Sequence, residues 1–358
     1  MSSQVNSRAE DAVGVRLRTV PVRVGVAGLW TCGVLVLAAS VAVAVTIGPS
    51  DLTASDVGAV LWSKLTGADS GLTRIQDGIV WNLRMPRTLL AALCGAGLAV
   101  CGVILQSLLR NPLADPFVLG ISSGASTGAV SIVVLGVGAG SIGLATGAFI
   151  GALCAFALVL VLAFAAGGTT DRVLLAGVAA TQLFAALTSF IVYMAADAEQ
   201  TRGVLFWLLG SLASASWTDV MVCALLVLVG LGVCLANAST LDAFTFGQDA
   251  AASLGVNVAR ARIVLLVVTA LITAIIVSTS GAIGFVGLVL PHAARALVGV
   301  KHRLLLPTAA LAGAIFLVWV DTAARTVLDP QELPVGVATA IIGVPAFIAI
   351  LLRRERRA

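Results

Sequence analysis

Charge is the scarcest commodity in this chain. Asp, Glu, Lys and Arg make up 11% of its 358 residues, against about 25% in a soluble domain. With 59% hydrophobic residues, that shortage excludes an ordinary water-soluble domain and points to a chain whose solvent is lipid. Lysine is nearly missing, with Lys64 and Lys301 as the two examples. Neither follows a G-x-x-x-x-G-K-[ST] phosphate loop, so ATP hydrolysis by this chain itself is not expected. The six cysteines, Cys32, Cys94, Cys101, Cys154, Cys223 and Cys234, all fall in apolar runs. There is no CxxC and no Cys/His cluster, so they read as small buried residues, with neither disulfides nor a metal site. Two histidines, His292 and His302, are too few to support an intramembrane enzyme. No resident cofactor is expected. The net charge of +4 carries no nucleic-acid signature, because the basic residues sit at loops and ends.

What is present is a series of apolar runs. Runs of about 20 residues span a bilayer as helices, and no alternating pattern of about ten residues suggests a membrane barrel. The first run, 24–47, is too long for a signal-peptide core and reads as span one. Further spans are expected at about 88–109, 118–137, 142–166, 173–195, 218–236, 263–279, 281–297, 304–325 and 335–352. A surface helix is expected over Ser55–Leu65. Asn111-Pro112-Leu113-Ala114-Asp115-Pro116 must break the chain, since two prolines cannot continue a helix. Gly143, Gly147 and Gly151 recur every four residues and make a flat packing face. The apolar stretch Gly203–Leu212 is too short to span and reads as an interfacial half-helix.

The expected fold is therefore an all-α integral membrane protein of about ten transmembrane helices. It has a polar tail over 1–23, one transmembrane domain over 24–352 and a basic terminus over 353–358. An even number of spans puts both termini on one side. Fifteen of the 21 Lys and Arg fall on that side, which the positive-inside rule makes cytoplasmic. Arg84, Arg87 and Arg325 remain on the opposite face, where positive charge is disfavoured. Between spans six and seven lies Gly247–Arg262, a polar stretch with its own structural grammar. Asp249 is an acidic helix start, Ala250, Ala251 and Ala252 are strong helix formers, and Gly255 is a stop. A short rigid helix on the cytoplasmic side, fixed to two spans, is a handle by which another protein can move them.

At this point a collinear set of motifs resembles a known family. Leu83-Arg84-Met85-Pro86-Arg87-Thr88, then Gly95, Gly97, Gly102 and Gln106, then Asn111–Pro116 with Leu119-Gly120, look like the permease subunits of ABC importers for iron–siderophores, haem and vitamin B12. Leu174–Val178, Trp207–Ser211, Asp249–Asn257, Gly284–Gly287 with Pro291-His292, and Glu332–Gly336 follow in the family's order. The resemblance covers about 80–352. It implies a ten-helix permease in the bacterial cytoplasmic membrane, working as a dimer with an identical or related permease. Two ABC ATPase subunits bind below, and an extracytoplasmic binding protein delivers the cargo above. It favours a ferric siderophore, with haem and cobalamin as related cargoes. The path is expected between the third, fifth, eighth and tenth spans and the Gly203–Leu212 helix.

The resemblance also assigns residues. Asp249, Ala250, Ala251, Gly255 and Asn257 are similar to the loop that couples such permeases to their ATPase, with Asp249 in place of the usual glutamate. The Ile-x-Leu-Pro that follows in other branches is not recognisable here. The alternative is an ordinary alanine-rich helix. Arg84, Arg87 and Arg325 match arginines that dock glutamates of the binding protein. Guanidinium–carboxylate pairs set orientation as well as attraction. The alternatives are snorkelling for Arg84 and Arg87, and an ion pair of Arg325 with Asp321 one turn earlier. Thr169 and Thr170 match the cytoplasmic narrowing of the path, or else cap the fifth span. His292 and Asp321 are the ionisable groups nearest to membrane depth. His292 is expected to help pack the coupling helix, and Asp321 to pair with Arg325. A transporter driven by an ion gradient is the rival reading. It usually places acidic residues or broken helices at the midplane, and the middles of spans two to eight hold no acidic residue.

Overall fold

A computed structural model describes residues 22–48, 52–138, 143–195, 198–328 and 331–355. The tail before 22, the residues after 355 and Asp197 lie outside the described residues. So do the side chains of Arg23, Arg353 and Arg354. All regular structure among the described residues is helical. In chain order these helices are α1 (Val22–Thr46), α2 (Ala54–Thr66), α3 (Arg74–Gly78), a π-helical turn (Ile79–Arg84) and α4 (Met85–Leu108). A 3-10 turn (Pro116–Leu119) follows, then α5 (Ile121–Leu135), α6 (Leu144–Ala165), α7 (Thr170–Tyr193), α8 (Ala198–Leu208) and α9 (Trp217–Ala236). The remaining helices are α10 (Ala238–Phe244), α11 (Gln248–Ser253), α12 (Val258–Ser280), α13 (Val286–Val298), α14 (His302–Ala324) and α15 (Val335–Glu355).

Seven helical stretches are long and apolar enough to cross a membrane, and three shorter apolar helices, within α5, α13 and α15, accompany them. Each stretch expected as a span falls on one of these ten helices, seven of which have the length to cross. With 15 residues, α5 is about 22 Å long, short of the ~30 Å hydrocarbon thickness. The expected surface helix is α2. Thr53 caps it, its hydroxyl accepting from the amide of Asp56 while the Asp56 carboxylate accepts from the Thr53 amide.

Three elements depart from the sequence expectation. The second span begins far earlier, because α3, the π turn and α4 form one continuous helix over Arg74–Leu108. A capping box of Thr73 and Gln76 starts it, and its polar first turns conceal it from a hydropathy reading. The half-helix α8 covers Ala198–Leu208 rather than Gly203–Leu212. After α9 the chain turns at Asn237 into the unforeseen α10.

The bundle is built around α4, which packs against α14, α13, α9 and α12. Glycine makes those approaches possible. A Cβ on Gly102 would lie 1.9 Å from the Gly287 carbonyl oxygen on α13. One on Gly95 would lie 2.1 Å from that of Gly313 on α14. In lipid, where hydrophobicity does not drive helices together, such backbone contact is a main source of adhesion. The expected glycine face on α6 is real for Gly147 and Gly151, which meet Gly128 and Gly124 of α5. Gly143 precedes the helix and meets nothing.

Side-chain bonds sort the helix ends into two groups. At one end the C-termini of α1 and α14 meet the π turn, the start of α15 and the start of α9. At the other, the end of α4 meets the start of α14 and α10, and the start of α12 meets the turn between α6 and α7.

Candidate functional site

The first end carries the three arginines singled out by sequence. Proline at 86 has no N–H, and its ring would crowd the carbonyl four residues back. The chain widens just before it, with the amide of Met85 bonding to the Val80 carbonyl five residues back. This π turn aims Arg84 and Arg87 into the protein, where both are buried. Arg84 donates to the carbonyls of Val45 and Thr46, each at 3.1 Å, and so satisfies the open end of α1. Arg325 also reaches α1, donating from Nη2 to the Ala44 carbonyl at 2.6 Å.

Arg87 grips two carboxylates. Its Nε lies 3.0 and 3.1 Å from the two oxygens of Asp321, and its Nη1 lies 2.9 and 3.0 Å from those of Glu332. Asp321 is 1% exposed. It lies nearer to Arg87, at 2.9 Å from Nη2, than to Arg325, at 3.9 Å from Nε. The expected Asp321–Arg325 pair is therefore secondary, and snorkelling of Arg84 and Arg87 is not what is seen. Arg325 Nε is buried without a hydrogen-bond partner among the described residues. Arg84, Arg87, Arg325 and Glu332 line one open pocket of about 320 Å³ together with Ile79, Leu83 and Ala213. Counting Asp321, the cluster holds three positive and two negative charges. It is a positive recess with unused donor capacity. Glu332 was missed as a partner of Arg87, although it stands in a quoted motif; nothing local links positions so far apart.

The second end carries the handle. Gly247 at φ +107° and Gly255 at φ +81° bracket α11, both in backbone conformations that disfavour a side chain. Ala251 faces inward and is fully buried, while Asp249, Ala252, Ser253 and Gly255 are exposed. Phe246 and Leu254, 77% and 71% exposed, flank the helix. Asn257 then caps α12, its side-chain oxygen accepting from the Arg260 amide at 3.1 Å. The five residues assigned by sequence thus lie on one short projection, α11 and the turn into α12.

A relay fixes α10, which packs against α11, to the bundle. Asp242 on α10 accepts from the backbone amide of His302 at 2.9 Å and meets its Nδ1 at 2.6 Å. The other ring nitrogen lies 2.6 Å from Ser107 Oγ on α4. His302 thus joins α10 to α14 and α4, and His292 has Nδ1 against the Leu288 carbonyl four residues back in its own helix. Beside the relay, Gln106 accepts from Arg295 at 2.6 Å and donates to the Gly287 carbonyl at 3.2 Å, tying α13 to α4.

Thr169 and Thr170 sit in the turn from α6 to α7. Thr169 is exposed and occupies the cap position of α7, but its side chain makes no capping bond there. Thr170 is half-buried. The turn is bonded to the start of α12 through Arg262, which donates to the Gly168 carbonyl. The handle and the threonines therefore share one end of the molecule, and the arginine recess occupies the other. Among the described residues, no group of His, Cys, Asp and Glu could hold a metal ion.

Residues 35–353 match the sequence profile of the FecCD transport family. Over 307 residues the chain is 43% identical to the cobalamin import system permease protein BtuC of Halobacterium salinarum, spanning 84% of this chain and 82% of that one. It is 42% identical over 285 residues to the hemin transport system permease protein HmuU of Yersinia pestis, spanning 78% and 85%. A solved inward-facing conformation of a metal-chelate type ABC transporter superposes with a TM-score of 0.80 at 29% identity, covering 91% of this chain and 99% of that one.

The arginine end makes a stability prediction. Asp321→Asn leaves the buried Arg87 charge half-compensated and should cost about 3–5 kcal/mol. Glu332→Gln, at a side chain 38% exposed, should cost about 1 kcal/mol or less. Thermal unfolding of the purified variants in detergent measures both, and equal losses would deny Asp321 its central place.

Proposed function

The chain belongs to the FecCD transport family, and on that premise we propose that it is the membrane-spanning subunit of an ATP-driven importer in a cytoplasmic membrane. The observation that carries this reading is the polarity of the molecule. A rigid helix for receiving force stands at one end, and a positive recess for receiving a partner stands at the other. The basic residues counted above favour the cytoplasm for the α11 end, and both termini with it.

Two ATPase subunits then bind the α11 faces of a permease pair, each face presenting Asp249 between Phe246 and Leu254. The second permease is a copy of this chain or a relative. A binding protein lays acidic side chains over the recess of Arg84, Arg87 and Arg325. Those arginines already have internal partners, so docking adds carboxylates to a cluster with one positive charge in excess. Closure of the ATPases on ATP pulls the α11 helices. The spans tilt as bodies, and the turn at Thr169 and Thr170 opens or closes the path on the cytoplasmic side. Cargo meets few charges on its way, which suits a bulky chelate that must not bind tightly. Ferric siderophore, haem and cobalamin all fit that description. The names of the relatives make cobalamin and hemin the first two to test.

An ion-gradient mechanism has less support. Asp321, buried at one end of the bundle, is held by Arg87 and is not placed as a carrier at mid-depth.

Two outcomes follow. Gly255→Val forces a β-branched residue to φ +81°, straining the turn by about 1–3 kcal/mol, with no neighbour within 4 Å to clash. The complex should still assemble and hydrolyse ATP while uptake per ATP falls; unchanged uptake would remove α11 as the coupling element. Docking of the binding protein should also weaken by about an order of magnitude from low salt to 0.5 M. Affinity indifferent to salt would remove the recess as its docking site.

A further inference from the structure

One side chain links the start of α12, the helix that follows the α11 projection, directly to the threonine turn. Arg262 lies on the second turn of α12, and α12 leaves the α11 projection through the Gly255 turn and the Asn257 cap. Its Nη1 donates to the carbonyl of Gly168, the residue before Thr169. That carbonyl is accessible because Gly167 and Gly168 take φ +105° and +69° in succession. The pair reverses the chain without any side chain to cover it, the amide of Gly168 bonding back to Ala163 at 2.8 Å.

The fork of Arg262 is half used. Nη2 is buried and has no hydrogen-bond partner among the described residues. A buried donor left open is unfavourable, so a shift of the turn that offers Nη2 a second acceptor would be favoured. The Gly167 carbonyl and the Thr169 hydroxyl belong to the same turn. The tether thus distinguishes between positions of the turn, which is what a transmitting contact must do. Its opposite support is firm. On the other side of α11, Asp242, His302 and Ser107 pin α10 to α14 and α4. A push on α11 therefore works against a fixed anchor on one side and a movable load on the other.

We propose that Arg262 is the positioning residue that transmits movement of the α11 projection to the Gly167–Thr170 turn, with the Asp242–His302–Ser107 relay as its fulcrum. This rests on the coupling and gating roles proposed above. It makes the turn respond to the ATPase through one guanidinium, in addition to any tilt of the spans.

The test uses the complete complex of permease pair and ATPases in nanodiscs, with the exposed Cys32 and Cys154 changed to Ser. Thr169→Cys supplies a thiol in the turn, and its rate of modification by a water-soluble maleimide is measured without nucleotide and with ATP–vanadate. In the otherwise native complex the two rates should differ roughly tenfold. Arg262→Met keeps the apolar stem but no donor. It should shrink that ratio to less than about twofold while ATP hydrolysis continues. Arg262→Lys, which keeps a donor, should restore most of it. If Arg262→Met does not assemble, Arg262→Ala is read in its place. A full response in the donor-less variant would overturn the tether and leave the gate reading standing. No response in the native complex would overturn the gate reading, and the tether with it.

Discussion

A guanidinium buried beside a lipid phase must be neutralised and hydrogen-bonded, and Arg87 meets that requirement by drawing three separated parts of the chain together. Asp321 near the end of α14 and Glu332 ahead of α15 both bond to it, and the π turn before Pro86 sets its direction. Arg84 and Arg325 then close the open carbonyls at the end of α1. With these bonds in place, α1, α4, α14 and α15 share one end and leave a positive recess there. The backbone contacts Gly95–Gly313 and Gly102–Gly287 hold α4 to α14 and to α13.

The opposite end follows a different rule. Polar side chains there join α10 to α14, α14 to α4, α4 to α13, and α12 to the turn before α7. Asp242 holds His302, His302 holds Ser107, Gln106 holds Arg295, and Arg262 holds Gly168. The protein is thus held by backbone contact in the middle and by side-chain bonds at both ends.

Much of this was legible in the sequence, and for physical reasons. Hydropathy reports burial in lipid directly, so the long spans fell close to their places. Glycine at every fourth position marked the α5–α6 contact through Gly147 and Gly151. The alanines between Asp249 and Gly255 marked α11, because helix propensity and stop signals are local. The misses share a cause as well. The early start of the second span carries polar residues, which hydropathy does not mark as part of a span. Asp321 was legible as a partner of Arg325 one turn away, but the bonds of Arg87 to Asp321 and Glu332 were not, since Arg87 and Glu332 are 245 positions apart. The bonds of His302 to Asp242 and Ser107 and of Arg262 to Gly168 had no signal at all. Long-range pairing leaves no trace in one sequence.

The measurement that tests the central claim most directly is uptake into proteoliposomes containing this chain with its ATPase partner. The binding protein and radiolabelled cyanocobalamin, hemin or a ferric siderophore are placed outside. ATP sealed inside is compared with an imposed proton or sodium gradient. The account predicts accumulation of at least one of these cargoes that requires both internal ATP and the binding protein. Accumulation on the gradient alone, with no ATP and no ATPase present, would contradict it.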